Sequence, residues 1–395
     1  MHDPSPRAWI EIDADAIREN ARILRRAIPD RTLLGLMVKA NGYGHGLVAA
    51  ARAALDGGCD RLMVVTIEEA LELRAAGILG PLLIVYTVAP DAVESAVMAD
   101  IELSVSGPDA TRRTLEAWAA VAPHHPDARL HLHLEIDSGM GRSGAQPIDA
   151  PDIVAAIMAS TRTDLDGVWT HLANGDDAQR SATQVAAFET AAGLVIEAVT
   201  ASNRPVPVRH IAATEGLVCE TAPTLDMVRI GLGLYGEIGV DVVPTPRMAP
   251  VVAGLRPAMA VKVRPVRVED LPAGASVGYG SEWTATRQSR IATLPIGYAD
   301  GWTRRYWPGA DALVRGQRVP LVGRVSMDTV CADVTDVPGV DPDDEFVLLG
   351  AQGAERISAV ELARIRGSIP NEVFCAFGPR LARRVVHGAA REEQD

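Results

Sequence analysis

Lys39 closes an apolar run in MVKANGYGHG, and a lysine amine can form a Schiff base when its surroundings lower its pKa. The glycines that follow, Gly42, Gly44 and Gly46, permit a tight turn and a close approach of backbone to a ligand. Further reactive side chains stand at the ends of comparable runs: Arg142 in DSGMGRSG, His171 in VWTH, Thr214 in HIAAT, and Arg229 with Gly231 in MVRIG. A hydroxyl at Thr214 and backbone N–H groups near Gly231 and Leu232 suit a phosphate. Each residue alone has a plain reading: a solvated lysine, a satisfied core histidine, an arginine in a surface ion pair. Five polar residues at five run ends are harder to explain that way.

The elements that must position them alternate regularly. Strand-like runs fall at 33–38, 62–65, 82–86, 102–105, 130–136, 167–171, 208–212 and 227–230. Helix-like stretches lie between them at 46–57, 67–76, 90–98, 108–121, 151–159 and 177–199, with a short link near 215–220. Thr66 with Glu69 reads as a capping box, and Gly77 as the C-cap of the same helix. Eight strands with intervening helices point to an α/β fold, a (β/α)8 TIM-type barrel whose site lies at the C-terminal ends of its strands. In the fifth run Leu130, Leu132, Leu134 and Ile136 share one face. His131, His133, Glu135 and Asp137 share the other, which is expected to face the barrel interior. That setting favours polar packing over metal binding for the H-x-H pair, so no metal site is expected.

After Tyr235 the texture becomes Gly-, Pro- and Val-rich, then β-branched and alternating at 258–268, 290–297, 317–325 and 345–350, with one helix-like piece at 358–366. The division expected is 1–240 for the barrel and 241–395 for a mainly β C-terminal domain. The formal charge of -13 and the absence of a Lys/Arg run argue against nucleic acid. No uninterrupted apolar run reaches the ~18 residues of a membrane span, and the first residues lack the sections of a secretory signal, so a cytoplasmic location is expected. Cys59, Cys219, Cys331 and Cys375 form no C-x-x-C pair and read as buried reduced thiols.

VKANGYGHG resembles the pyridoxal-phosphate lysine motif of the alanine racemase family. The resemblance continues through DSGMGRSG, WTH, DMVRIGLGLYG, VGYGSEW, LPIGYADGW and VGRVSMD, from AWIEIDADAIRENAR to NEVFCAFGPR. It implies a pyridoxal 5'-phosphate enzyme that interconverts L- and D-alanine with two bases. Lys39 would anchor the cofactor and act as one base, and Tyr279, from the second subunit of a homodimer, would be the other. Arg229 would meet the pyridine nitrogen, His171 would sit beside the tyrosine, and Tyr43, Thr214, Gly231 and Leu232 would hold the phosphate. Arg142 would approach the cofactor's phenolic oxygen and the substrate carboxylate. Met327 and Asp328 would come from the partner, with Tyr298 at the substrate entrance. Alternatives are a serine-preferring or broad-specificity racemase, a decarboxylase on a similar barrel, and a non-catalytic pyridoxal-phosphate protein.

Two departures from the family pattern stand out. Many members carry a carbamylated lysine where this chain has Glu135, so its carboxylate is expected to substitute for that group and orient Arg142 directly. In HIAAT, Ala213 and Thr214 stand where the family often has an Asn-Ser pair. This keeps the hydroxyl and leaves substrate preference open.

Overall fold

In the computed structural model, which describes residues 6–387, the first apolar run forms the strand Leu33–Met37. Seven more follow: Arg61–Val64, Leu82–Ile84, Glu102–Val105, Leu130–Glu135, Thr163–Trp169, Val208–Ala213 and Met227–Ile230. Each pairs in parallel with the next, and Leu33 opposite Met227 closes the ring. Strands enclosed on both faces read as near-continuous apolar runs, as LLGLM and RLMV do. The expected (β/α)8 barrel is present, with strand ends shifted by no more than two residues except in the sixth strand, which begins four residues early, at Thr163. His171, expected to close a strand, lies two residues beyond Trp169.

The helices around it follow the sequence pattern. Ile67–Ala75 begins at the Thr66–Glu69 capping box, and Gly77, at φ +80°, follows its end. Ala178–Ala201 is, among the described residues, the one helix long and apolar enough to cross a membrane by length and composition. Its stripe of Gln184, Phe188, Ala191, Val195 and Val199 is buried, and the helix packs on Ala150–Ala159 and Thr163–Trp169. The short helix Ala249–Gly254 falls in the Gly/Pro-rich stretch read as lacking a helix. A further helix absent from the alternation, Ala14–Ala27, precedes the first barrel strand and buries Ile17, Ala21 and Leu24.

The chain divides into two compact units. One comprises Ile17–Gly42 and Leu47–Leu255, and the other the described residues up to Ala16, Tyr43–Gly46 and the described residues from Arg256 onward. The second is mainly β, as expected. Its long sheet runs Arg267–Leu271, Ser289–Leu294, Val330–Asp333, Gln317–Val322, Asp311–Val314, Phe346–Gln352, Met259–Val263, Ala8–Asp13 and Ala382–Val386. A boundary at 240/241 divides the chain by texture, whereas strand pairing carries Ala8–Asp13 into this sheet. That strand lies antiparallel to Met259–Val263 and parallel to Ala382–Val386. Trp9, Ile10 and Ile12 are buried there, and Lys262 ties Glu11 to Glu345 at 2.9 Å each. Among the described residues this unit carries the helix Ala359–Arg366, which was expected, and the helix Pro370–Ala376, which was not. Cys375, on the second of them, is exposed, and Cys59, Cys219 and Cys331 are half-buried, which corrects the expectation of buried thiols at all four positions.

Candidate active site

Lys39 lies two residues beyond the end of the first barrel strand and opens a backbone turn of the wrong hand. Ala40, Asn41, Gly42 and Tyr43 all have φ between +51° and +62°, and Gly42 N donates to Val38 O at 2.8 Å. Left-handed conformation costs about 1–2 kcal/mol for each residue with a Cβ, so the turn persists only where its surroundings impose it. Asn41 Oδ1 accepts from Leu47 N at 2.8 Å, and Glu69 Oε1 accepts from Ala40 N at 2.6 Å. Glu69 therefore does more than cap a helix: its other oxygen takes Val65 N at 3.1 Å, and the side chain braces the backbone beside the lysine. Sequence reading saw only the capping box, because the contact with Ala40 joins two strand ends distant in the chain.

Arg229, on the last barrel strand, is only 4% exposed. Its guanidinium lies 4.8 Å from the Trp169 ring centre and donates to Thr170 O at 2.6 Å, Ile211 O at 3.3 Å and His210 Nδ1 at 3.1 Å. The loss of solvent lowers its pKa to about 9, against the attraction of Glu135, so it remains a cation at neutral pH. A fourth bond goes to His171 Nδ1 at 3.3 Å. An arginine only donates, so His171 carries its lone pair on Nδ1 and its proton on Nε2. Desolvation and the charges of Arg229, Arg142 and Lys39 push the imidazole down to about 3, leaving it neutral. Those three cations, from three different strand ends, act on one ring.

Glu135 ends the fifth strand and is 2% exposed. Its carboxylate accepts from Ser143 Oγ at 2.6 Å, and among the described residues it forms no ion pair with Arg142. The direct Glu135–Arg142 pair expected from the sequence is thus replaced by a bond to the residue after the arginine. Arg142 is exposed, with its guanidinium 6.0 Å from the Tyr86 ring centre, and it acts on Glu135 through space. The loop between them is tied to Asp137, whose Oδ1 accepts from the N–H groups of Gly139, Met140 and Gly141. Burial raises the Glu135 carboxyl above its usual range, partly opposed by Ser143 and the two arginines.

Thr214 begins the short helix Thr214–Val218, and its Oγ1 accepts from Gly231 N at 3.2 Å and Gly233 N at 3.4 Å. The turn Leu232–Tyr235 starts there, so two backbone N–H groups at its N-terminus bond to the hydroxyl that opens the neighbouring helix.

Lys39, Glu135, Arg142, His171, Thr214, Arg229, Gly231 and Leu232 all belong to the barrel unit, whereas Tyr43, Tyr279, Tyr298, Met327 and Asp328 belong to the other. Tyr43 is buried, and its neighbours are fixed within that unit: Arg383 Nε donates to Gly44 O at 2.7 Å. Tyr279 is 71% exposed on a turn with Gly278 and Gly280 at positive φ. Tyr298 N donates to Ser326 O at 3.0 Å, and Ala299 N to Met327 O at 3.0 Å, which joins the Tyr298 turn to the 326–328 loop. Asp328 pairs with Arg380 at 2.8 Å. Tyr298 and Met327 are also exposed.

Sequence profiles of the alanine racemase N-terminal and C-terminal domains match residues 12–238 and 258–385. The chain belongs to the alanine racemase family. It is 37% identical over 381 residues to the alanine racemase of Symbiobacterium thermophilum, covering 95% of this chain and 96% of that one. Among solved structures, alanine racemase from the D-cycloserine producer Streptomyces lavendulae superposes with a TM-score of 0.87 at 33% identity, covering 98% of this chain and 99% of that one. Histidine racemase from Leuconostoc mesenteroides superposes with a TM-score of 0.83 at 27% identity, covering 97% and 99%.

Alanine racemases depend on pyridoxal phosphate. The donor set at this barrel mouth fits that group: an amine at a strand end, N–H groups and a hydroxyl at helical N-termini, and a buried guanidinium.

Proposed function

We propose that this chain interconverts L- and D-alanine with pyridoxal phosphate, by a two-base mechanism in a homodimer whose sites are composite. The observation that carries the reading is the donor set at the mouth of one barrel: Lys39 at a strand end, buried Arg229 bonded to His171, and Thr214 joined to the N–H groups of Gly231 and Gly233. When bound, the cofactor supplies an electron sink for the charge left by removal of the α-proton. Lys39 anchors it and moves the α-proton on one face, and Tyr279 of a partner subunit moves it on the other. Arg229 meets the pyridine nitrogen as a donor that cannot take up a proton, which weakens the sink and discourages side reactions. Neutral His171 offers its Nε2–H beside that tyrosine. Thr214, Gly231, Leu232 and Tyr43 hold the phosphate, and Arg142 holds the substrate carboxylate with Glu135 as support. Met327 and Asp328 of the partner narrow the mouth, and Tyr298 lines the way in. Cytoplasmic D-alanine supply is the setting that suits this activity.

A second reading, racemisation of serine or a wider range of amino acids, draws on Ala213 and on the likeness to a histidine racemase. The test is loss of optical activity and exchange of the α-proton with L-alanine, L-serine and L-histidine in the presence of added pyridoxal phosphate. Alanine turning over fastest supports the main reading. A faster reaction with serine or histidine shifts it to the second, and decarboxylation without exchange overturns both. Borohydride reduction followed by peptide mapping should place the label on Lys39.

A further inference from the structure

Behind Arg229, inside the barrel, lies a row of polar side chains to which the proposed reaction gives no part. Arg229 Nη1 is 3.1 Å from His210 Nδ1, His210 Nε2 is 3.1 Å from His133 Nδ1, and His133 Nε2 is 2.9 Å from Glu102 Oε2. The other oxygen of Glu102 meets Arg61 Nη2 at 3.0 Å. Both imidazoles are fully buried.

The two ends fix the direction of the row. Arg229 only donates, so His210 keeps its lone pair on Nδ1 and its proton on Nε2. That proton points at His133 Nδ1, which leaves the His133 proton on Nε2, where it needs an acceptor. An ionised carboxylate only accepts, and Glu102 stands there. A second proton on His210 would set one N–H against another. Burial and the Arg229 charge, with smaller contributions from His133 and Arg61, hold its pKa well below the ordinary value. Burial works against ionisation of Glu102, but the His133 bond and the charges around it, including Arg61, keep it below the usual carboxylate range.

The backbone makes room for this arrangement. The ladder between Leu130–Glu135 and Thr163–Trp169 shifts register after Leu132, which sets His133 opposite Gly167. A Cβ on Gly167 would stand 2.0 Å from His133 Nδ1. Trp169 stacks on His210 at 5.9 Å, and His133 meets His210 edge-on at 5.4 Å, so the ring planes are held as well as the protons.

We propose that Glu102 is a positioning residue for the cofactor site. By ending the row as its acceptor, it sets the tautomers of His133 and His210 and so holds Arg229 in the orientation that serves the pyridine nitrogen. The link to the cofactor rests on the reading of Arg229 given above, whereas the tautomers do not. Two paired variants of the full chain separate the acceptor from the charge. Arg61→Met/Glu102→Leu removes the acceptor without stranding a buried arginine, and Arg61→Met/Glu102→Gln leaves an amide oxygen in its place.

Imidazole nitrogen-15 shifts, recorded with and without added pyridoxal phosphate, should show His210 and His133 protonated only on Nε2 in the wild type and the glutamine variant. Mixed tautomers are expected in the leucine variant. Its affinity for pyridoxal phosphate should fall about tenfold, the loss of one hydrogen bond's worth, with a displaced absorption maximum, and glutamine should restore both. A wild-type His210 protonated on Nδ1 overturns the proposal, whether or not the variants fold. So does a folded leucine variant with unchanged tautomers, or one with mixed tautomers and unchanged cofactor affinity and spectrum. Wild-type protein that binds no pyridoxal phosphate sinks the reading of the mouth, and with it the role given to Glu102, while the tautomers still report on the row itself.

Discussion

Replacing Glu135 by glutamine should lower activity and raise stability together. The amide keeps the size of the side chain and removes its charge. In the native chain Ser143 Oγ donates to the carboxylate at 2.6 Å, and that bond anchors the loop carrying Arg142. A hydrogen bond to a charged group contributes about 1.5–3 kcal/mol and a neutral one about 0.5–1.5, so the variant forfeits roughly 1–1.5 kcal/mol at the loop. If that loop places Arg142 on the substrate, kcat/KM for alanine falls roughly five- to fifteenfold. Stability should move the other way, because burial raises the carboxyl above its usual 4.5. An acid whose folded pKa is raised binds its proton more tightly when folded. Stability therefore falls as pH climbs from about 4.5 through the raised value, and the penalty stands in full beyond it. Glutamine has no such proton to lose. Thermal melts from acid to neutral pH, alongside steady-state kinetics, test both halves. The variant should melt higher than the wild type at neutral pH, and the gap should close in acid. Unchanged kinetics refute the loop argument, and a lower melting temperature at neutral pH refutes the electrostatic one.

Mixing Lys39→Ala and Tyr279→Phe subunits, each inactive alone, should restore activity, because the mixed dimer would hold one intact composite site. No recovery after proven subunit exchange counts against that arrangement. Gly167→Ala should cost about 2 kcal/mol or more, read as a lower denaturant midpoint at unchanged slope, since its Cβ would meet His133 Nδ1 at 2.0 Å. His171 should stay neutral throughout the working range. Its folded pKa of about 3 lies below the ordinary 6.5, so between those values the unfolded chain binds a proton that the folded chain does not. Stability should therefore rise with pH across that window, and His171→Gln should reduce the slope by about one proton, measured from unfolding at several pH values.

What the sequence determined by itself was local. Side-chain periods of 2 and 3.6 residues are written in neighbouring positions, so the eight strands, most of the helices between them and the change to β texture after Tyr235 could all be read along the chain. The polar residues at strand ends were legible for the same reason, and a parallel barrel puts those ends on one face, where Arg229 bonds to His171 and the charge of Lys39 reaches the same ring. What only the tertiary structure decided was pairing. Nothing in AWIEID states that it lies between Met259–Val263 and Ala382–Val386, because strand partners are chosen by packing across the whole chain. The partner of Glu135 turned on the turn geometry of a glycine-rich loop, which delivered Ser143 where the resemblance to the family suggested Arg142. Glu69 beneath Ala40, and His133 against His210, likewise depend on distances between strands and on a register shift at Leu132. Register is set by the sum of contacts along two strands. No single residue encodes it, and so the chemistry was visible in the sequence before the side chains that hold it in place.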